Sequence, residues 1–341
     1  MTFSYPNHPF IIAELSGNHN GDINRAFRLI DAAKASGADA VKLQTYTADT
    51  ITIDHDGSEF LVDLPLWKGR KLYDLYQEAH TPWDWHPDLF AYAQKVGITI
   101  FSSPFDETAV DLLESLGAPL YKIASFELVD IPLIAYVARL KKPMIMSTGM
   151  ANLEEISEAV NAAQKAGATD ITLLHCVSEY PAPYSACDLK TMVELGRHFP
   201  NVRLGLSDHT MGTVVPIAAV ALGAQVIEKH ITLARADGGV DSAFSLEPQE
   251  LAQLCEQTKI SAQCLGRVDF EKSKQSAGRK YRPSLYVVKP IKKGDVFSHD
   301  NIRTIRPANG LAPKYLEQVL GQKAKQDIDF GTPLQMEMID K

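Results

Sequence analysis

Cysteine is scarce in this sequence: four residues in 341, at positions 176, 187, 255 and 264, with no Cys-x-x-Cys pair. That spacing suggests neither a disulfide framework nor a cysteine zinc site, and leaves the thiols as buried or incidental groups. Long apolar runs are also missing. No stretch reaches the roughly 18 uninterrupted apolar residues of a membrane span, and MTFSYPNHPFIIAEL at the N-terminus has no basic region ahead of an apolar one. The expectation is a soluble, cytoplasmic protein. Positive charge is short: 34 Lys and Arg against 42 Asp and Glu give a net charge of -8, the wrong sign for a nucleic-acid surface. An anionic ligand then needs a local basic cluster. Heptads, internal repeats and low-complexity tracts are absent. What remains is ordinary globular composition, 45% hydrophobic and 22% charged, at a length that suggests one large domain with a smaller one.

Between about residues 9 and 265, eight short β-rich apolar runs alternate with amphipathic helical stretches. They cover residues 9–15, 39–45, 98–104, 120–125, 143–148, 171–177, 202–208 and 224–230. Helical stretches such as INRAFRLIDAAKASG carry apolar residues at i, i+3, i+4 and i+7 and end in Gly. Eight such units predict an α/β fold, a (β/α)8 TIM barrel over residues 1–266. Nearly every run ends in a chemically capable residue: Glu14, Lys42 with Gln44, Ser102 with Ser103, Lys122 with Ser125, Ser147, His175, Ser207 with His209, and His230. A barrel gathers such ends at one mouth, whereas a doubly wound sheet collects ligands at one switch point and needs no polar residue on every strand. Residues 46–82, with Trp67, Trp83 and Trp85 within or beside them, are too long for an ordinary connection and read as a substrate lid. A polar, basic linker over 267–283 leads to a small β-rich domain over 284–341, whose marginal core suggests docking onto a barrel. Extended, about 16 linker residues span up to about 50 Å.

His209 and His230, at the ends of adjacent strands, suit a first-row divalent metal, and Glu14 on the neighbouring first strand can approach it. Lys42 and Lys122 with Ser103, Ser125, Ser147 and Ser207 make an anion site with donors for a phosphate and a carboxylate. A Schiff-base lysine is the alternative use of the same residues.

The strings IIAELSGNHNG, AVKLQT, FSSPFD, YKIAS, MSTGM, LLHCVSEYPAP, GLSDHT and EKHIT, in that order, resemble the sialic acid synthase family, phosphoenolpyruvate-condensing enzymes that make nonulosonic acids. KPIKKGDVF and IRPANG resemble that family's C-terminal antifreeze-like (SAF) domain. ADGGVDSAFSLEP and LWKGRKLYDLYQEAHTPWDWH are similar to the pseudaminic acid synthase branch, whereas N-acetylneuraminate synthases usually carry Gly-Pro-Asp where Gly239, Val240 and Asp241 stand. The resemblance implies a metal-dependent condensation of phosphoenolpyruvate with 2,4-diacetamido-2,4,6-trideoxy-L-altrose to give pseudaminic acid and phosphate. It implies His209 and His230 as ligands of Mn2+ or Mg2+, and Lys42, Ser103, Lys122, Ser125, Ser147, Ser178 and Ser207 around phosphoenolpyruvate. Gln44, Tyr180 and Asp241 would line the sugar pocket, with Phe244, Trp67 or Tyr73 as apolar lining, and Glu14 would act near the aldehyde. Arg306 resembles an arginine that the partner chain's tail contributes, which makes the working unit a homodimer with exchanged C-terminal domains. N-acetylneuraminate or legionaminic acid synthesis, a barrel hydrolase, a lysine aldolase and a non-enzymatic carbohydrate-binding protein are the competing readings.

Overall fold

A computed structural model describes residues 4–270 and 276–340, and the chain divides into two compact units, Met1–Gly266 and Arg267–Lys341. The first is a closed barrel of eight parallel strands: β1 (Phe10–Glu14), β2 (Ala40–Thr45), β3 (Thr99–Pro104), β4 (Tyr121–Ile123), β5 (Met144–Ser147), β6 (Ile171–Cys176), β7 (Arg203–Asp208) and β8 (Val226–His230). All eight apolar runs read from the sequence are strands, and β8 pairs with β1, with Glu14 opposite His230. Two ends fall short of that reading. β4 stops at Ile123, so Ser125 belongs to the turn that follows, and β7 stops one residue before His209.

Local chemistry sets the helix boundaries. The Asp22 carboxylate accepts from the Asn24 N–H at the start of Ile23–Ala35. Asn152 and Glu155 cap Leu153–Ala166 reciprocally, and Gly167, at φ 117°, ends it in the left-handed region. The inner faces of these helices and the outer faces of the strands bury one large core that includes Leu29, Ile30, Val41, Leu89, Val110, Ile134, Leu173 and Leu254.

A separate cluster plugs the barrel itself: Phe10, Ile12, Ala40, Phe101, Leu120, Ile145, Leu174 and Val226. On β7 the equivalent position is Gly205, where a Cβ would lie 2.3 Å from the Val226 carbonyl, so only glycine lets these strands close over the plug.

The 46–82 segment has structure of its own. It holds helices Ala48–Ile51 and Leu72–Ala79, 3-10 turns Ser58–Phe60 and Pro65–Trp67, and a bridge between Leu61 and Lys71. Among the described residues no helix is long and apolar enough to cross a membrane.

In the second unit, β9 (Ser284–Val287) pairs antiparallel with β10 (Ile302–Ile305), and β11 (Lys323–Ala324) with β12 (Ile339–Asp340). Leu285, Val287, Ile291, Phe297, Ile302, Leu334 and their neighbours pack as a core within this unit, where the sequence suggested a marginal one. Of the expected linker, residues 271–275 lie outside the described residues. Ser276–Arg279 form a helical turn, which shortens the reach of a fully extended chain.

Candidate active site

Side chains on a strand alternate between faces, so the residue two positions beyond each plug residue again faces into the barrel. That step leads from Ile12 to Glu14, from Ala40 to Lys42 and Gln44, from Phe101 to Ser103, and from Leu120 to Lys122. It leads from Ile145 to Ser147, from Leu174 to Cys176, from Gly205 to Ser207, and from Val226 to Glu228 and His230. Most of these residues line a cavity of about 330 Å³ at the C-terminal mouth. The intervening residues face the helices. Ser102 bonds Thr45, and His175 bonds the Cys187 carbonyl at 2.7 Å. Neither belongs to the cavity, and Cys176 rather than His175 is the inward residue of β6.

Four buried charges alternate in sign, three of them on the cavity floor and Glu14 behind it. Lys42 Nζ lies 2.7 Å from Glu14 and 3.7 Å from Glu228 Oε1, and Lys122 Nζ lies 3.3 Å from the same Glu228 oxygen. Ser207 donates to that oxygen at 3.0 Å, while the buried Glu228 Oε2 has no hydrogen-bond partner. Burial works against the Glu228 carboxylate, but Lys122 and Lys42 outweigh it and hold its pKa well below the usual range. Burial likewise pulls both ammonium groups down. Glu14 and Glu228 reverse that for Lys42, whereas Lys122, repelled by Lys42 and attracted mainly by Glu228, stays lowered. Glu228 was absent from the sequence-based candidates, although it lies two residues before His230 and thus on the same face.

Donors surround the lysines. Lys42 donates to Ser103 at 3.2 Å, and the buried Ser147 hydroxyl has no partner. The Gly149 N–H donates to Ser125 Oγ at 3.2 Å. A Cβ at Gly149 would lie 2.3 Å from Ser178 Oγ and 2.8 Å from Ser125 Oγ, so glycine keeps this hydroxyl cradle open. Ser103 and Ser178 support the cradle from behind the cavity lining.

The rings of His209 and His230 are 5.3 Å apart and pack on Phe244. His209 Nδ1 faces the Val177 carbonyl at 3.0 Å; a carbonyl only accepts, so Nδ1 carries a proton and Nε2 is the nitrogen a cation would meet, although burial is outweighed by Cys176 and that carbonyl, which raise the ring's pKa and make the cation compete with a proton. Burial, His209 and Lys42 hold the His230 pKa well below the usual imidazole range, and its buried Nδ1 is unpartnered. These donors fit a divalent cation. Among the described residues no group of three His, Cys, Asp or Glu is arranged to hold a metal, so the fit is a two-histidine site with its other positions left to substrate or water.

Glu14 stands opposite His230 at the inward end of β1, as the sequence suggested, but neighbours take up both of its oxygens. Its carboxylate takes Lys42 on one oxygen and Gln44, at 3.0 Å, on the other, outside the cavity lining; it positions Lys42 and Gln44. Gln44 also donates to Ser16, whose hydroxyl donates to the buried Asp241. Tyr180 packs on Trp67 and His209, and Trp67 Nε1 donates to the Val240 carbonyl at 3.0 Å. Trp67 is therefore part of the cavity wall. Trp83 and Trp85 are not, and Trp85 packs edge-on against His19. Tyr73 points away from the cavity and donates to Asp49. Phe244 supports the histidines rather than lining the cavity, and Arg306 is exposed in the second unit, just after β10. Glu127, another residue missed by sequence reasoning, does line it; burial pushes its carboxyl up to about 7, and Oε2 has no partner.

The NeuB family model matches residues 29–270 and the SAF domain model residues 282–340. The chain is 44% identical to a pseudaminic acid synthase of Helicobacter pylori, covering 98% of both chains. It is 42% identical to an N,N'-diacetyllegionaminic acid synthase of Campylobacter jejuni, covering 93% of this chain and 96% of that one. A crystal structure of the N-acetylneuraminic acid synthetase from Leptospira borgpetersenii superposes with a TM-score of 0.72 at 33% identity, covering 80% of this chain and 90% of the other. With its eight-stranded barrel followed by a SAF domain, this chain belongs to the NeuB family.

Proposed function

We propose that the protein is a pseudaminic acid synthase that condenses phosphoenolpyruvate with 2,4-diacetamido-2,4,6-trideoxy-L-altrose and releases phosphate. The observation that carries this reading is a two-lysine hydroxyl cradle and a two-histidine pair facing one cavity. The 44% identity to the Helicobacter pylori synthase supports this choice of acceptor.

Lys42, Lys122, Ser125, Ser147 and Ser207 bind the phosphate and carboxylate of phosphoenolpyruvate, with Ser103 and Ser178 behind them. Glu228 keeps the ammonium groups aimed before substrate arrives, so little reorganisation is left for the reaction. A Mn2+ or Mg2+ ion on His209 and His230 supplies Lewis-acid polarisation of the open-chain aldehyde when bound. Gln44, Tyr180 and Asp241 hold the sugar. The electron pair of the enol double bond forms the new bond from C3 to the aldehyde carbon, the carbonyl π pair moves onto the aldehyde oxygen and takes a proton to become a hydroxyl, and an oxocarbenium is left at C2. Water adds at C2 and loses one proton, balancing the one taken by the aldehyde oxygen. The resulting hydroxyl gives up the remaining proton as the ketone forms and phosphate departs with the bridging oxygen and its electron pair. The lid excludes other water from this cation. Phosphoenolpyruvate is a cytoplasmic metabolite, and we assign the protein to that compartment.

The working unit in this reading is a homodimer whose tails cross to the partner barrel. Phe126, Val129, Met150, Tyr184 and Met211 in the loops after β4 to β7, and Val214 at the start of the helix after β7, are large exposed apolar residues on neighbouring units of the barrel, and the exposed Arg306 suits a carboxylate or hydroxyl ligand. Phosphate release over a panel of acetamido sugars, with 18O in the C2–O–P bridge, tests the chemistry: labelled phosphate is expected, and unlabelled phosphate would sink it. Mixed dimers of Arg306→Ala and Lys122→Ala chains should regain partial activity if tails exchange, and none if each tail serves its own barrel.

A further inference from the structure

Residues 46–79 include ten charged side chains, yet none of them lines the cavity. Several are paired within the segment itself. Lys71 lies 2.7 Å from both Asp54 and Asp56, Arg70 is paired with Glu78, and Lys68 lies 3.1 Å from Asp63. What the segment turns inward carries no charge: Ile51, Val62, Leu64, Leu72 and Leu75 form an aliphatic stretch beside the rings of Tyr46, Trp67 and Tyr76. The charged floor is supplied by the strands below.

This sorting constrains what occupies the upper cavity. A hydroxyl or phosphate pressed against those five side chains would lose its water without gaining a partner from them, whereas a methyl group would gain from the transfer. An acceptor whose aldehyde meets the histidines turns its far end toward the lid. We infer that Ile51, Val62, Leu64, Leu72 and Leu75 are the specificity wall for the acceptor, taking an unphosphorylated, deoxygenated end that presents methyl groups. The inference rests on the condensation reading above and names the residues that set its acceptor class.

The test compares kcat/KM for the 6-deoxy diacetamido sugar with that for its 6-hydroxy congener. Aliphatic pockets discriminate by about tenfold to a hundredfold for changes of this size, so the unmodified protein should favour the deoxy sugar within that range. Leu64→Asn should lower the preference about tenfold and Val62→Thr in the same direction, with the KM for phosphoenolpyruvate unchanged. Leu66→Asn is the matched control: Leu66 is 39% exposed against 38% for Leu64, sits in the same loop and does not line the cavity, so its ratio should stay put. A starting ratio of one or less, or an unaltered ratio in both Leu64→Asn and Val62→Thr, overturns the wall while leaving the condensation intact. Failure to release phosphate with every acceptor removes the condensation reading and the wall with it.

Discussion

Strand β8 carries two buried ion-pair systems on its two faces, and they are built to different rules. Toward the helices, Lys229 is fully buried, lies 2.5 Å from Asp208 and donates to the Thr210 carbonyl; the Asp208 carboxylate also accepts the Thr210 N–H and hydroxyl. Every polar atom there has been answered. Toward the barrel axis, Glu228 and His230 stand among equally buried groups, yet Glu228 Oε2, His230 Nδ1 and Ser147 Oγ are left without partners. An unmet buried polar group costs about 1–3 kcal/mol, and these three atoms belong to residues that line the cavity, where a ligand can meet them. The fold alone satisfies the closed network, whereas the open one turns unmet atoms to a cavity, the arrangement expected of a binding site.

The sharpest separation should come from His209→Ala and His230→Ala. Each is expected to lower turnover by roughly a thousandfold or more with the unfolding transition little moved, because too few donors remain to hold the cation. Steady-state rates beside thermal melts check this, and full activity in chelated, metal-free protein would remove the metal from the account. Lys229→Met is the inverse: it strands a buried carboxylate and should cost on the order of 3–5 kcal/mol in denaturant unfolding while the KM for phosphoenolpyruvate holds. Lys42→Ala and Lys122→Ala come next. A charge-assisted bond contributes about 1.5–3 kcal/mol, so that KM should rise about tenfold or more, and an unchanged value in both would move the phosphate elsewhere.

The smallest effect concerns Glu127. Its folded pKa is raised to about 7 from an ordinary 4.5, so the folded state holds an extra proton between those values. The stability it lends is full below about pH 4.5 and is lost as pH rises through 7. Glu127→Gln should flatten that part of the stability-against-pH curve, read as melting temperatures between pH 5 and 8. A wild-type slope preserved in the variant would show that other groups cause it.

Much of this was legible because a parallel barrel buries both faces of its strands, which makes each strand a continuous apolar run with chemistry at its end. The same continuity hides which face a residue takes. Ser102 and Ser103 look equivalent as letters, as do His175 and Cys176, and only the register against the plug separates them. Glu228 could have been found by stepping back two residues from His230. Glu127 gave no such signal, since it sits in a 3-10 turn without strand periodicity. The lid misled for another reason. Its many charges mask Val62 and Leu64, whereas Tyr73, an aromatic residue of the same segment, turns to Asp49 instead.

The pairing of β1 with β8 also sets a schedule. Glu14 and Lys42 are made early, yet Glu228 and His230 follow them by about two hundred residues of synthesis. At about 5–20 residues per second, the floor of the site waits roughly 10–40 s for its last two members. Throughout that interval Lys42 lacks one of its two carboxylates and the first strand presents an unpaired edge. A nascent chain that stalls before β8 therefore carries a sticky edge and no assembled site, so truncated products should aggregate rather than compete for substrate.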